Sequence, residues 1–216
     1  FFGEHSEIIG AEHVLEKRAV TPEVAKQIVA AAKRREELAL STGEDLRTIN
    51  PMLFNIAGGI TSVEEKSLGA IKKSGSKPIQ GVLKYGERTN GKGLYFMDAW
   101  MFMSIFLGFA SAGSNFNLFQ IGGAGAQSSI RSPMSSSHGV VAPLMWATGN
   151  PNTYATAGSE NIDFCSGPVY EGKETAEEAG ERLLKTFVEV ASGKLTCAET
   201  LKHLDPVEPD LEDPFF

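Results

Sequence analysis

The sequence predicts an α/β fold: a largely parallel, Rossmann-like sheet covered by helices and preceded by an N-terminal helical hairpin. Three observations carry this. Short apolar runs such as VVAPLMWAT (Val140 to Thr148) read as strands buried on both faces. They alternate with amphipathic stretches that bear helix caps, the order that produces parallel pairing through crossovers. The chain has 216 residues, 42% of them hydrophobic and 22% charged, which suits one full-sized domain with a buried core.

EIIGAEHVLEKRA reads as the first helix, with Ile8, Leu15 and Ala19 on one face and Glu12 on the same stripe. A carboxylate there needs a partner, so Glu12 is either salt-bridged at the rim or functional. Thr21-Pro22-Glu23 opens the second helix with a cap, a proline at the first helical position and an acid in the first turn. Its stripe runs Val24, Ile28, Ala32, and Gly43 is placed to end it. A third helix is expected from about Ser62 to Lys73. Strands follow over PIQGVLKYG (Pro78 to Gly86) and GLYFMDA (Gly93 to Ala99).

AWMFMSIFLGFA (Ala99 to Ala110) is too short for a bilayer span and reads as a buried helix from Trp100, or else as a hydrophobic interface. NLFQI (Asn117 to Ile121) and VVAPLMWAT are further strands. Thr175-Ala176-Glu177-Glu178 has the form of a capping box. The helix it opens carries Leu183, Leu184, Phe187 and Ala191 on one face and ends near Gly193. Residues 1–205 form the expected domain, and 206–216 an acidic, Pro-rich tail. Ligands of such folds bind at the carboxyl ends of strands, which puts Asp98, the glycines after Ile121 and Gly149-Asn150 on one expected rim.

Charge and composition exclude several functions. A net charge of −7 and the absence of a Lys/Arg run argue against nucleic acid and against a membrane surface. Cys165 and Cys197 form no disulfide framework or zinc pattern and fit thiols in a reducing cytosol, hence a cytoplasmic protein. The chain opens FFGEHSE without an initiator Met and with no signal peptide, which fits a piece of something longer. His5, His13, His138 and His203 have no metal-ligand spacing. No G-x-S-x-G elbow supports serine hydrolysis. IGGAGAQSS (Ile121 to Ser129) lacks the third glycine and the downstream acid of a dinucleotide loop, so no nucleotide is expected. Gly123 could still let backbone amides approach a small anion. The Ser-rich stretch Ser128 to Gly139 is a lid whose Arg131 clamps a carboxylate or, more simply, a mobile loop.

The stretch with most chemistry is NIAGGITSVEEKSLG, Asn55 to Gly69. Asn55, Gly58, Gly59 and Thr61 precede a helix start, where amides and the helix dipole favour a carboxylate. Glu64, Glu65 and Lys66 follow in the first turn. Ser62-Val63-Glu64-Glu65 is equally a capping box, which would give Glu65 no task beyond closing the helix and leave Lys66 a solvated charge.

EIIGAEHVLEKRAV, NIAGGITSVEEKSLGAI, GLYFMD, ATGNPNTY and IDFCSGPVYEGKETAEEAGERL together resemble the C-terminal domain of the altronate/galactarate dehydratase family, which includes the large subunit of sulfolactate sulfo-lyase. The resemblance covers nearly the whole chain up to the tail. It implies a lyase that removes water from a hydroxylated sugar acid such as altronate or galactarate, with a divalent metal, Fe(II) or Mn(II). Asn55, Gly58, Gly59 and Thr61 would then hold carboxylate or hydroxyl groups. Glu65 and Lys66, with Glu64 beside them, would be the acid/base candidates, and Asp98 would sit near metal or a substrate hydroxyl. Gly123, Arg131 and Asn150 complete the expected substrate contacts.

Two departures stand out. The family usually continues Met-Asp with Thr-Pro, where this chain has Ala99-Trp100 and a greasy run. It also usually carries F-T-T-G-R-G after the next strand, where this chain reads Phe119 to Ala124 without the arginine. Either Arg131 replaces it from the following loop, or the substrate is different, or the domain is not catalytic by itself. The resemblance also implies an upstream domain or separate small subunit that completes the site, with a homo-oligomer as a further expectation. The alternatives are a sulfo-lyase subunit that eliminates sulfite, or a non-catalytic small-acid-binding or scaffold domain. A nucleotide-dependent oxidoreductase ranks third, for want of a phosphate loop.

Overall fold

The computed structural model describes residues 1–3, 7–99, 104–122 and 142–202. Gly123, Arg131, the Ser-rich stretch, the residues that start the greasy run and the acidic tail lie outside these residues. The described chain divides into two compact units, Phe1–Ser114 and the residues from Asn115 onward. Its class is α/β and its strand pairing is parallel throughout, as expected, but distributed over two three-stranded sheets.

The first unit runs β1 (Phe2–Gly3), α1 (Glu12–Glu16), α2 (Pro22–Ser41), α3 (Leu46–Ile49), α4 (Leu53–Ala57), α5 (Val63–Lys72), β2 (Ile79–Leu83), β3 (Leu94–Met97) and α6 (Ser104–Ser111). Its sheet has the order β1-β3-β2, with Phe2 opposite Phe96 and Leu83 opposite Met97. The two-residue β1 carries no sequence signal of its own and exists because β3 offers it an edge. α2 follows its expected pattern: the Thr21 hydroxyl accepts the Val24 N–H, and Val24, Ile28 and Ala32 are buried. They pack with Ile8, Ile9, Leu15, Ile79 and Phe96 into one core.

The first predicted helix is shorter than the periodicity suggested. Gly10 has a φ of +83°, a left-handed value that an α-helix cannot contain, so helical structure begins only at Glu12. Ile8 and Leu15 are buried nonetheless, Ile8 from the turn before the helix. Glu12 is half-buried in the first helical turn. α1 packs against α2. The Arg18 guanidinium ties the chain after α1 to the Ser74 and Lys77 carbonyls ahead of β2, at 3.2 Å and 3.0 Å.

The second unit runs β4 (Asn117–Ile121), β5 (Leu144–Thr148), α7 (Pro151–Ala157), β6 (Phe164–Cys165), α8 (Gly167–Tyr170), α9 (Ala176–Ala191) and α10 (Cys197–Thr200). β5 is the central strand, paired with β4 from Asn117–Leu144 to Ile121–Thr148 and with β6 at Ala147–Phe164. All five of its residues are buried, which is why LMWAT reads as a continuous run and not an alternation. Met145 and Ala147 face a cluster with Phe164 and Val190, while Trp146 meets Phe119 edge-on at 4.9 Å.

The capping box of α9 is present in full. The Thr175 hydroxyl accepts the Glu178 N–H at 3.2 Å, and the Glu178 carboxylate accepts the Thr175 N–H at 2.8 Å. The apolar face is rotated from the expected one: Leu183 and Phe187 pack on the core with Ala179 and Val190 buried, whereas Leu184 is 62% exposed.

The Thr175 N–H and hydroxyl hold the Glu178 carboxyl below the usual carboxylate range. A folded-state pKa that is depressed adds stability above the unfolded value, and that stability is lost as pH falls through the folded value. Glu178→Gln should therefore melt earlier than the parent at neutral pH, and the two should converge below the usual carboxylate range. Melting temperature against pH checks this; parallel curves down to the lowest pH would contradict the cap.

Candidate functional site

The Asn55-to-Gly69 block lies wholly in the first unit. Asn55 sits inside α4, not in a loop. Its side-chain oxygen accepts the Met52 N–H at 3.1 Å, and its carbonyl accepts the Gly58 and Ile60 N–H groups, both at 3.1 Å. The Gly59 N–H donates to the Ile56 carbonyl at 2.9 Å. With a φ of +98°, Gly59 has a conformation that side chains rarely adopt, and this turn needs it. The amides of Gly58 and Gly59 are thus spent on closing α4.

At the start of α5 the Ser62 hydroxyl accepts the Glu65 N–H at 3.2 Å. The Glu65 carboxylate reaches back to the Thr61 N–H and hydroxyl, each at 2.8 Å. The Thr61 N–H, then its hydroxyl, hold Glu65 below the usual carboxylate range. Glu64 is held low as well, first by its own backbone N–H, then by the Ser62 hydroxyl and the nearby Arg47 charge. Such carboxylates are weak bases, and both are exposed. Of the two readings the sequence leaves open for Glu65, the geometry displays helix capping.

Lys66 is placed differently. Its ammonium donates to Glu7 Oε1 at 2.8 Å and to Asn50 Oδ1 at 2.6 Å. The Lys66 and Glu7 side chains are only 15% and 19% exposed. The next residue, Ser67, is fully buried and donates its hydroxyl to the Ile9 carbonyl at 2.8 Å. Glu64 lies over Gly10, where an added Cβ would come within 2.8 Å of its Cγ. The turn over residues 7–10 is in this way fixed to the first two turns of α5.

Asp98 leaves the carboxyl end of β3 and pairs with the Arg34 guanidinium of α2. Glu7, Asn50 and Arg34 were not singled out in the sequence. The signal that could have found Glu7 and Asn50 is weak: each is a polar residue in a short irregular segment with no periodicity.

Asn150 lies in the second unit, so the expected rim is shared between two sheets: Asp98 follows β3, whereas Gly122 and Gly149-Asn150 follow β4 and β5. Asn150 caps α7, its side-chain oxygen accepting the Asn152 and Thr153 N–H groups at 2.9 Å and 3.3 Å. The buried Thr153 hydroxyl donates to the Gly122 carbonyl at 2.9 Å. These bonds knit the ends of β4 and β5 together. Gly123 and Arg131, which belong to the same expected set, are outside the described residues.

A hollow of about 420 Å³ in this unit is lined by Pro168, Lys173, Glu174, Glu178 and Arg182. Arg182 there makes a two-pronged pair with Glu174 at 2.9 Å and 2.6 Å and lies over the Phe164 ring. No predicted site residue lines it. Among the described residues no three His, Cys, Asp or Glu side chains converge as metal ligands would. The described residues alone therefore do not form a site for the divalent ion. No described helix is long and apolar enough to cross a membrane.

Cys197 starts α10, where its N–H donates to Asp163 at 2.7 Å and its Sγ lies 3.4 Å from the Ser159 carbonyl. Burial, then the Asp163 charge, push its thiol up to about 12. Near neutral pH the thiolate, the form that reacts, is therefore scarce. Iodoacetamide should accordingly label Cys197 far more slowly in the folded chain than after unfolding, as read by peptide mass. Equal rates would show that the Asp163 contact does not persist.

Comparison with known proteins shows a match to the family model described as D-galactarate/altronate dehydratase, C-terminal, over residues 1–208. The chain is 32% identical to (2R)-sulfolactate sulfo-lyase subunit beta of Chromohalobacter salexigens over 204 residues, covering 94% of this chain and 50% of that one. It is 29% identical to galactarate dehydratase (L-threo-forming) of Escherichia coli over 195 residues, 89% of this chain and 35% of that one. Altronate dehydratase of Bacillus subtilis is 32% identical over 199 residues, 91% of this chain and 37% of that one. The chain thus spans between about a third and a half of the length of these relatives.

Proposed function

The chain belongs to the D-galactarate/altronate dehydratase C-terminal family, and on that premise we propose that it supplies one wall of a lyase site that dehydrates a hydroxylated sugar acid such as galactarate or altronate. Within the structure, the observation that favours this reading is Lys66: a half-buried ammonium in the Asn55-to-Gly69 block, held between Glu7 and Asn50. Eliminating water breaks a C–H bond beside a carboxylate and a C–O bond on the next carbon, and forms a double bond between them. The carboxylate's negative charge opposes the first event, and a departing hydroxide opposes the second. A fixed ammonium relieves either, by pairing with the carboxylate or by giving a proton to the leaving oxygen, so that water departs. In this reading Lys66 has that role, Glu65 keeps its cap, and the base comes from elsewhere.

The divalent ion that the family resemblance implies would take its ligands from outside the described residues. The site would be completed by a further domain or a separate subunit, in keeping with the share of its relatives that this chain spans. A sulfo-lyase subunit, which would release sulfite from sulfolactate, is the second reading. It is favoured by 32% identity to a sulfo-lyase subunit beta.

The test supplies galactarate, altronate and sulfolactate with Fe(II) or Mn(II) to the chain, alone and joined with the rest of the family's length. Keto-acid formation supports the dehydratase, and sulfite release supports the second reading. Neither product, from folded protein in both formats, would replace both with an acid-binding or scaffolding role.

A further inference from the structure

We propose that Glu7 is a positioning residue of the same site, one that fixes the Lys66 ammonium so that a single N–H remains for the carboxylate of a bound acid; this rests on the lyase reading above. An ammonium has three N–H donors and no acceptor. Two of the three are directed at Glu7 Oε1 and Asn50 Oδ1, and among the described residues the third has no partner. Lysine side chains are ordinarily solvated and rotamer-rich, so holding one at 15% exposure has an entropic cost. A half-buried ion pair does not repay that cost through stability, because desolvation offsets the attraction. Pre-setting a charge for a ligand does give it a use.

The turn that carries Glu7 is held where this requires. Ser67, one residue beyond Lys66, grips the Ile9 carbonyl from a fully buried position. Gly10 adopts a left-handed φ of +83° beneath the Glu64 side chain, and any Cβ there would press on it. Glu7 is therefore fixed relative to α5 by the residues on both sides of Lys66. The pairing with Asn50, a neutral acceptor, closes a second direction without adding charge. Glu7 acts through Lys66 and makes no contact with the acid itself.

The experiment follows the lysine side-chain ammonium resonances of the intact chain by ¹H–¹⁵N NMR while galactarate is added. The expected result is a Lys66 signal that shifts on titration. Glu7→Gln should weaken galactarate binding about tenfold, the scale of one charge-assisted hydrogen bond. Glu7→Asp should recover part of the loss, and Glu16→Gln, an exposed change on α1, should bind like the parent. A Lys66 signal that galactarate leaves unmoved overturns the proposal, and the lyase reading is then decided separately by turnover. If Lys66→Met weakens binding but Glu7→Gln does not, the positioning role falls and the site stands. If galactarate binds Lys66→Met as tightly as the parent, both fall.

Discussion

Replacing Lys66 by Met is expected to lower turnover by about 10²–10³-fold in the preparation that dehydrates the acid, the range typical of a lost donor that stabilises negative charge. The fold should survive, because α5 is anchored independently through Val63, Ser67 and Ile71, all buried. The contrasting substitution is Glu65→Gln, one position earlier. Its carboxylate is occupied by the Thr61 N–H and hydroxyl, so turnover should stay within a few fold of the parent and the melting temperature should fall slightly. Ser62→Ala, which removes the other half of the cap, should cost about 1 kcal/mol and leave the rate unchanged. Measured kcat for the three variants separates the readings. If Glu65→Gln is as inactive as Lys66→Met, the capping geometry does not describe the working state of this helix. If Lys66→Met is fully active, the half-buried ion pair is structural and the lyase reading loses its main support from the structure.

Much of the fold was legible because local chemistry and tertiary packing agree. Asn117–Ile121 is a strand with the bounds the sequence suggested, and the caps of α2, α5 and α9 are at the residues their sequences name. The two-residue strands β1 and β6 were not legible, since only their neighbours make them strands. The division into two sheets was hidden for a related reason. Buried parallel strands carry the same apolar run whichever sheet they join, so Asp98 and Asn150 seemed to share a rim that the topology gives to different units.

The candidate site divides along the same line. What depends on neighbours in sequence, such as the capping by Ser62 and Glu65, could be read in advance. What depends on distant residues could not. Ser67 and Ile9 are 58 positions apart, and nothing in either segment announces that a turn will be fastened to α5 there. The pairing of Asp98 with Arg34 is hidden in the same way, because Arg34 reads as one more charge on a long helix.

The largest stability effect is expected at Trp146, and two substitutions there distinguish packing from polarity. The side chain is 1% exposed on the central strand of the second sheet and meets the Phe119 ring edge-on at 4.9 Å. Trp146→Ala should therefore destabilise the chain by about 3–5 kcal/mol, the range for truncating a buried aromatic when its surroundings relax only partly. Among the described residues, however, the indole N–H has no hydrogen-bond partner, and an unsatisfied buried donor has an unfavourable contribution of about 1–3 kcal/mol. Trp146→Phe removes that donor while keeping one ring against Phe119, so the two effects oppose and the net loss should be below about 1.5 kcal/mol. Urea denaturation followed by far-ultraviolet circular dichroism measures both. The ordering of the variants decides the matter: Phe close to the parent and Ala far below it is the signature of a site held by aromatic packing alone. A Phe variant as unstable as Ala would mean that the indole N–H does have an acceptor in the folded protein, and that this face of β5 is more polar than its neighbours indicate.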